Sequence, residues 1–125
     1  MRTFAPILLA LTVMCGAALA TPPDSISLKF DPETHILSST VYHPVRSNPS
    51  DHFIAKVAVD VNGVVMVTQT FKSQTDAKVQ KVSYVLVDVK EGAKVGLTAV
   101  CSLFGQIKRV LVVAPAQPAP GTGTK

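Results

Sequence analysis

The sequence predicts an all-β domain, a sandwich of about seven strands, and three observations predict it. Apolar and polar residues alternate in short runs, and nowhere do apolar residues recur at the three-and-four spacing of an amphipathic helix over ten residues or more. Each run is bounded by residues that form turns, among them Asn62-Gly63 and Gly105. The 125-residue chain is long enough for one hydrophobic core and too short for two domains.

The chain opens with what reads as an export signal over residues 1–20. Arg2 and the amino terminus are positive, Ala5 to Ala18 is almost wholly apolar, and Ala18-Leu19-Ala20 supplies the small-x-small pattern cleaved by signal peptidase. The mature chain is expected to begin at Thr21 and to be periplasmic or secreted. The apolar run is shorter than the roughly 20 residues that span a bilayer. No second such run follows, so no membrane association is expected after cleavage. Cys15 follows Thr12-Val13-Met14, which departs from the leucine-first, small-residue-last pattern of a lipidation site.

The expected strands are Ser25 to Phe30, Ile36 to Tyr42, Phe53 to Val61, Val64 to Thr70, Val79 to Val87, Ala93 to Leu103 and Gln106 to Val113. Asp31-Pro32-Glu33-Thr34 turns the chain after the first, and Lys90-Glu91-Gly92 before the sixth. Asn62-Gly63 separates two β-branched runs, and both residues tolerate the positive φ of a type I′ hairpin turn. Gly105 permits a reversal between the sixth and seventh strands. Val57, Val59 and Val61 form an apolar face with Lys56 and Asp60 on the other, as in a sheet buried on one side. Val82, Tyr84 and Leu86 repeat the pattern. The domain is therefore expected over 21–113. Residues 114–125, dominated by Pro, Ala, Gly and Thr, lack the apolar bulk to offset ordering entropy and are expected to be disordered.

Arg2 is the one charged residue in the signal, so 12 basic residues become 11 against 8 acidic ones, a mature net charge of +3. The basic residues are scattered rather than clustered, which argues against a nucleic-acid partner. No Gly-rich phosphate loop, nucleophile motif or pair of catalytic carboxylates is present.

Three segments stand apart from the strand pattern: His43-Pro44, Asp51-His52-Phe53-Ile54 and Cys101-Ser102-Leu103-Phe104-Gly105. His43 and His52 flank one loop rich in Pro, Asn and Ser, which places them at the same end of the fold. Cys101 is the cysteine left after processing, although exported proteins usually carry paired cysteines. It is expected to be buried and inert, bonded to a second chain, or protected by a metal. Two imidazoles and a thiolate suit iron, copper or zinc.

These segments resemble the iron-binding domain of desulfoferrodoxin and superoxide reductase, an immunoglobulin-like β-sandwich, over about Phe30 to Val113. That family has a His-Pro pair, then a His-aromatic-Ile segment opening the next strand, then Cys-x-x-His-Gly near the C-terminus. The resemblance implies an immunoglobulin-like fold, non-haem iron as cofactor, a superoxide-reductase-type oxidoreductase activity, and an electron-donor or other periplasmic protein partner. It makes His43 and His52 in-plane ligands and Cys101 the axial one.

The chain also departs from the family. Phe104 stands where the motif has its histidine, the interval from His43 to His52 is longer, and Glu33-Thr34-His35 matches the upstream Glu-Lys-His loop only superficially. A strand between His35 and His43 would separate them by roughly 26 Å, so they cannot share a metal, and His35 is expected in a turn. A second resemblance, carried by the His-Pro loop, the His-Phe-Ile strand and the Asn-Gly hairpin, is to the immunoglobulin-like subunit of the sulfur-carrier complex of thiosulfate oxidation. It implies a non-enzymatic interaction module.

Overall fold

The computed structural model describes residues 22–46 and 52–115. The export-signal reading of residues 1–20 and most of the expected disordered tail therefore fall outside the described residues. The strands are β1 (Ser25–Asp31), β2 (Ile36–Tyr42), β3 (Ile54–Val61), β4 (Val64–Thr70), β5 (Val79–Val85), β6 (Lys94–Cys101) and β7 (Gln106–Val112). No helix occurs among the described residues.

The strands form two antiparallel sheets, one ordered β1-β2-β5 and the other β4-β3-β6-β7. Their inward faces share one buried cluster, with Ile26, Leu37, Val41 and Val82 from the first sheet and Ile54, Val57, Val59, Val95, Leu97 and Ala99 from the second. Alternation produces this core directly, because successive side chains on a strand point to opposite faces. In β2 it continues beyond the strand: Leu37, Ser39, Val41, His43 and Val45 are all buried. In β6 it runs Val95, Leu97, Ala99, Cys101.

The Asn62-Gly63 turn has φ of 51° and 86° at its two residues, the positive values a two-residue hairpin requires. Asn62 also ties the turn to β6, its side-chain oxygen accepting from the Lys94 amide at 3.0 Å. His35 lies in the β1–β2 turn with φ of 59°, and Asp31 Oδ1 accepts the Glu33 amide there at 2.9 Å.

Strand ends differ from the sequence expectation where ladder partners run out. Phe53 lies outside β3, its amide taken by Ser102 Oγ at 3.1 Å, and the register shifts between Ile54 and Lys56. β5 stops at Val85, because the Leu86 amide turns to the His35 carbonyl at 2.8 Å and Asp88 adopts a φ of 59°. Ala93 precedes β6, and Ser102 and Leu103 leave it for the reversal closed by Cys101 N–H donating to the Gly105 carbonyl at 2.9 Å.

Asp60 departs from its expected role as a plain solvent-facing residue, being only 9% exposed. Lys108 Nζ covers it at 2.9 Å. Gly96, paired with Asp60 across the ladder, makes the room: a Cβ there would lie 2.6 Å from Asp60 Oδ2 and 2.8 Å from Lys108 Cε.

Candidate metal centre

Three strand ends meet at one end of the molecule. His43 follows β2 directly, and its amide donates to the Lys78 carbonyl at 2.9 Å while Val45 donates to Ala77 at 2.8 Å, so strand-like pairing carries past Tyr42. That continuation keeps the two-residue phase and turns the His43 ring inward, fully buried. Cys101 occupies the last inward position of β6 and is paired with Ile54. His52 lies two residues before Ile54 and is half-buried.

The rings of His43 and His52 pack edge to face with centroids 4.5 Å apart. His52 Nε2 is 2.8 Å from Cys101 Sγ. One potential ligand atom from each of His43, His52 and Cys101 lies within 4.8 Å of the others, so the two imidazoles and the sulfur converge. His35 is not in this group; its ring lies near Phe30, centroids 6.5 Å apart. Phe104 is 67% exposed and offers no lone pair.

Gln74 organises the cluster from a loop between β4 and β5. Its Nε2 donates to the His43 carbonyl at 3.0 Å and to the Asp76 carbonyl at 3.1 Å, and its Oε1 accepts the Ile54 amide at 3.1 Å. Those three bonds fix which end of the amide is oxygen. The same Oε1 is the hydrogen-bond partner of His43 Nδ1. An oxygen that is solely an acceptor requires Nδ1 to carry the proton, which leaves the ring's lone pair on Nε2. A buried partner that sets tautomer and ring orientation in this way is what a ligating histidine ordinarily has.

The sulfur is similarly placed. The Leu103 amide donates to Cys101 Sγ at 3.4 Å, and the Ser102 amide donates to the Phe53 carbonyl at 2.8 Å, locking the reversal against the start of β3. At 6% exposure Cys101 is buried, as expected of a lone thiol, yet it is in contact with an imidazole rather than sealed among apolar groups. Bonding to a second chain would require this buried sulfur to be uncovered first. Burial, and next the neighbouring His43, hold the pKa of His52 below its ordinary 6.5, so this ring is neutral and able to ligate near neutral pH.

Sequence reasoning placed all three converging residues but missed Gln74 and Ser102. Gln74 is a polar residue in a loop and Ser102 falls in the expected sixth strand, and their burial or bonding arises from contacts with residues 31 and 49 positions away. No family profile, curated relative or solved structure matches this chain.

Among the described residues the donor set falls short of the iron site implied by the desulfoferrodoxin resemblance. That site needs four imidazoles around an axial thiolate. Here two imidazoles and one sulfur converge, and the position of a further histidine is an exposed phenyl ring.

Proposed function

We propose that this protein is an exported metal-binding β module, related in fold to desulfoferrodoxin, that holds one late first-row metal ion on His43, His52 and Cys101. The observation that carries the reading is the convergence of two imidazoles and a thiol, one ring fixed by Gln74 in the tautomer that presents Nε2. Two sheets of three and four strands, ordered β1-β2-β5 and β4-β3-β6-β7, support an immunoglobulin-like sandwich. The pattern of residues 1–20 supports export to the periplasm or beyond.

Such an ion would be bound by the two ring nitrogens and the deprotonated sulfur, with the thiol proton released to solvent. The chain's own contribution is to orient the donors and shield two of them from water. Superoxide reduction of the family type is not part of this reading, because the four-histidine plane is incomplete.

Metal analysis of protein exported from cells, before and after anaerobic loading, tests the proposal. About one ion per chain is expected, lost from Cys101→Ser and from His52→Ala. Protein that retains no metal under any loading condition refutes it.

A second reading, a non-enzymatic interaction module like the sulfur-carrier subunit, is favoured by one observation. Edge strand β4 presents Val64, Val65 and Met66 largely exposed, and it contains no charged residue. Edge strands of that kind readily pair with another chain. Metal-free protein that binds a purified sulfur-carrier subunit through β4 would select this reading over the first.

A further inference from the structure

We propose that the ion held at this site is copper, bound as Cu(I), rather than iron. The inference rests on the metal-binding reading above and adds the identity of the metal.

Four properties of the cluster point the same way. Among the described residues two imidazoles and one thiolate make a three-donor set, and trigonal His₂Cys sites are characteristic of copper, whereas octahedral iron would require three further donors. His43 is fully buried and Cys101 is 6% exposed, so the water ligands that would complete an octahedron have access mainly from the side of His52. Thiolate is a soft donor, which suits Cu(I) and disfavours the hard ions that carboxylate and carbonyl oxygens hold.

The fourth property is charge. A thiolate and Cu(I) sum to zero, and a neutral centre suits a site where charge is costly to bury. The same thiolate with Fe(II) or Zn(II) leaves one positive charge. The group behind His43 is the neutral amide of Gln74 rather than the carboxylate that often backs a zinc-ligating histidine.

Copper outcompetes other first-row metals at most nitrogen and sulfur sites, so affinity order alone does not decide, and the test reads coordination as well. The full chain would be exported from cells supplied with iron, copper and zinc, and its metal identified. Purified protein would then be titrated anaerobically with Cu(I), Fe(II) and Zn(II) in competition with chelators, and the loaded form measured by X-ray absorption at the metal edge. The expected result is one Cu(I) per chain with one sulfur and two nitrogen neighbours. Cys101→Ser and His52→Ala should each remove the stoichiometric ion, Gln74→Leu should weaken it by about 10–100-fold, and His35→Ala should leave it unchanged.

Thermal melts establish that each variant is folded, and the half-buried His52 supplies a change that spares the core. Iron or zinc found on these three residues, in the exported protein or in preference to Cu(I), overturns copper and leaves the metal site standing. Copper retained equally by Cys101→Ser and His52→Ala, or lacking a sulfur neighbour, overturns the proposal. Protein that holds none of the three metals overturns both it and the reading on which it rests.

Discussion

Gln74 concentrates more structural consequence than any other polar side chain near the cluster. Its amide joins the end of β2, the start of β3 and the Asp76 turn through four hydrogen bonds. Gln74→Ala would strand the buried Nδ1–H of His43 and the Ile54 amide. A loss of at least about 1–3 kcal/mol is expected, the cost of leaving a buried donor unsatisfied, measurable by denaturant titration of metal-free protein. A change of less than about 0.5 kcal/mol, typical of a surface site, would show that the amide does not hold the cluster. His52 makes a pH prediction. Its folded pKa lies below the ordinary 6.5 through burial and then through His43, so the unfolded chain takes up the proton first as pH falls. The stability linked to this ring is complete above about 6.5 and is lost as pH drops from there through the lower folded value. Melting temperature of the metal-free protein should therefore decline below about pH 6.5, and His52→Asn should flatten that part of the decline. An unaltered profile in the variant would contradict the depressed pKa. At this scale the sequence was legible for the donors, because histidine and cysteine carry their chemistry in their names. Gln74 was not legible, since a glutamine in a polar loop looks the same whether it faces solvent or a buried imidazole.

The strands show why their order was readable and their ends were not. A period of two is written along each chain segment, and in β2 and β6 it extends to the residues that matter, His43 and Cys101. Termination depends instead on whether a partner strand is still alongside. The amide of Leu86 leaves the ladder for His35, a partner 51 positions away that no local pattern announces. Gly96 is a similar case: mid-strand glycine usually weakens a sheet, but here its missing Cβ accommodates the Asp60–Lys108 ion pair. The Cys101–Gly105 reversal yields a prediction of its own. Phe104 projects from it at 67% exposure, so Phe104→Ala should change stability by no more than about 0.5 kcal/mol and leave metal stoichiometry intact. A collapse of either would mean that the phenyl ring is part of the site after all.

Taken whole, the molecule is two sheets contributing to one buried cluster, and the candidate centre sits at the rim of that cluster. Leu97 of β6 is fully buried among residues of both sheets. Leu97→Ala is expected to lower the stability of the protein by about 2–5 kcal/mol through lost burial and the cavity left behind, read from chemical denaturation. A cost below about 1 kcal/mol would mean that the sheets do not close on this side chain. All-β character and seven strands followed from alternation and turn chemistry. The pairing that brings Cys101 beside His52, 49 positions apart, follows only from which strands become neighbours. Sequence supplies the donors, and sheet order supplies their meeting.

The unequal exposure of the three donors gives the cluster a direction. His43 and Cys101 are walled in by β2 and β6, while His52 stands half open at the mouth. His52 is therefore the donor of the three that solvent reaches most readily. An ion arriving from solvent would meet that imidazole before the two covered donors.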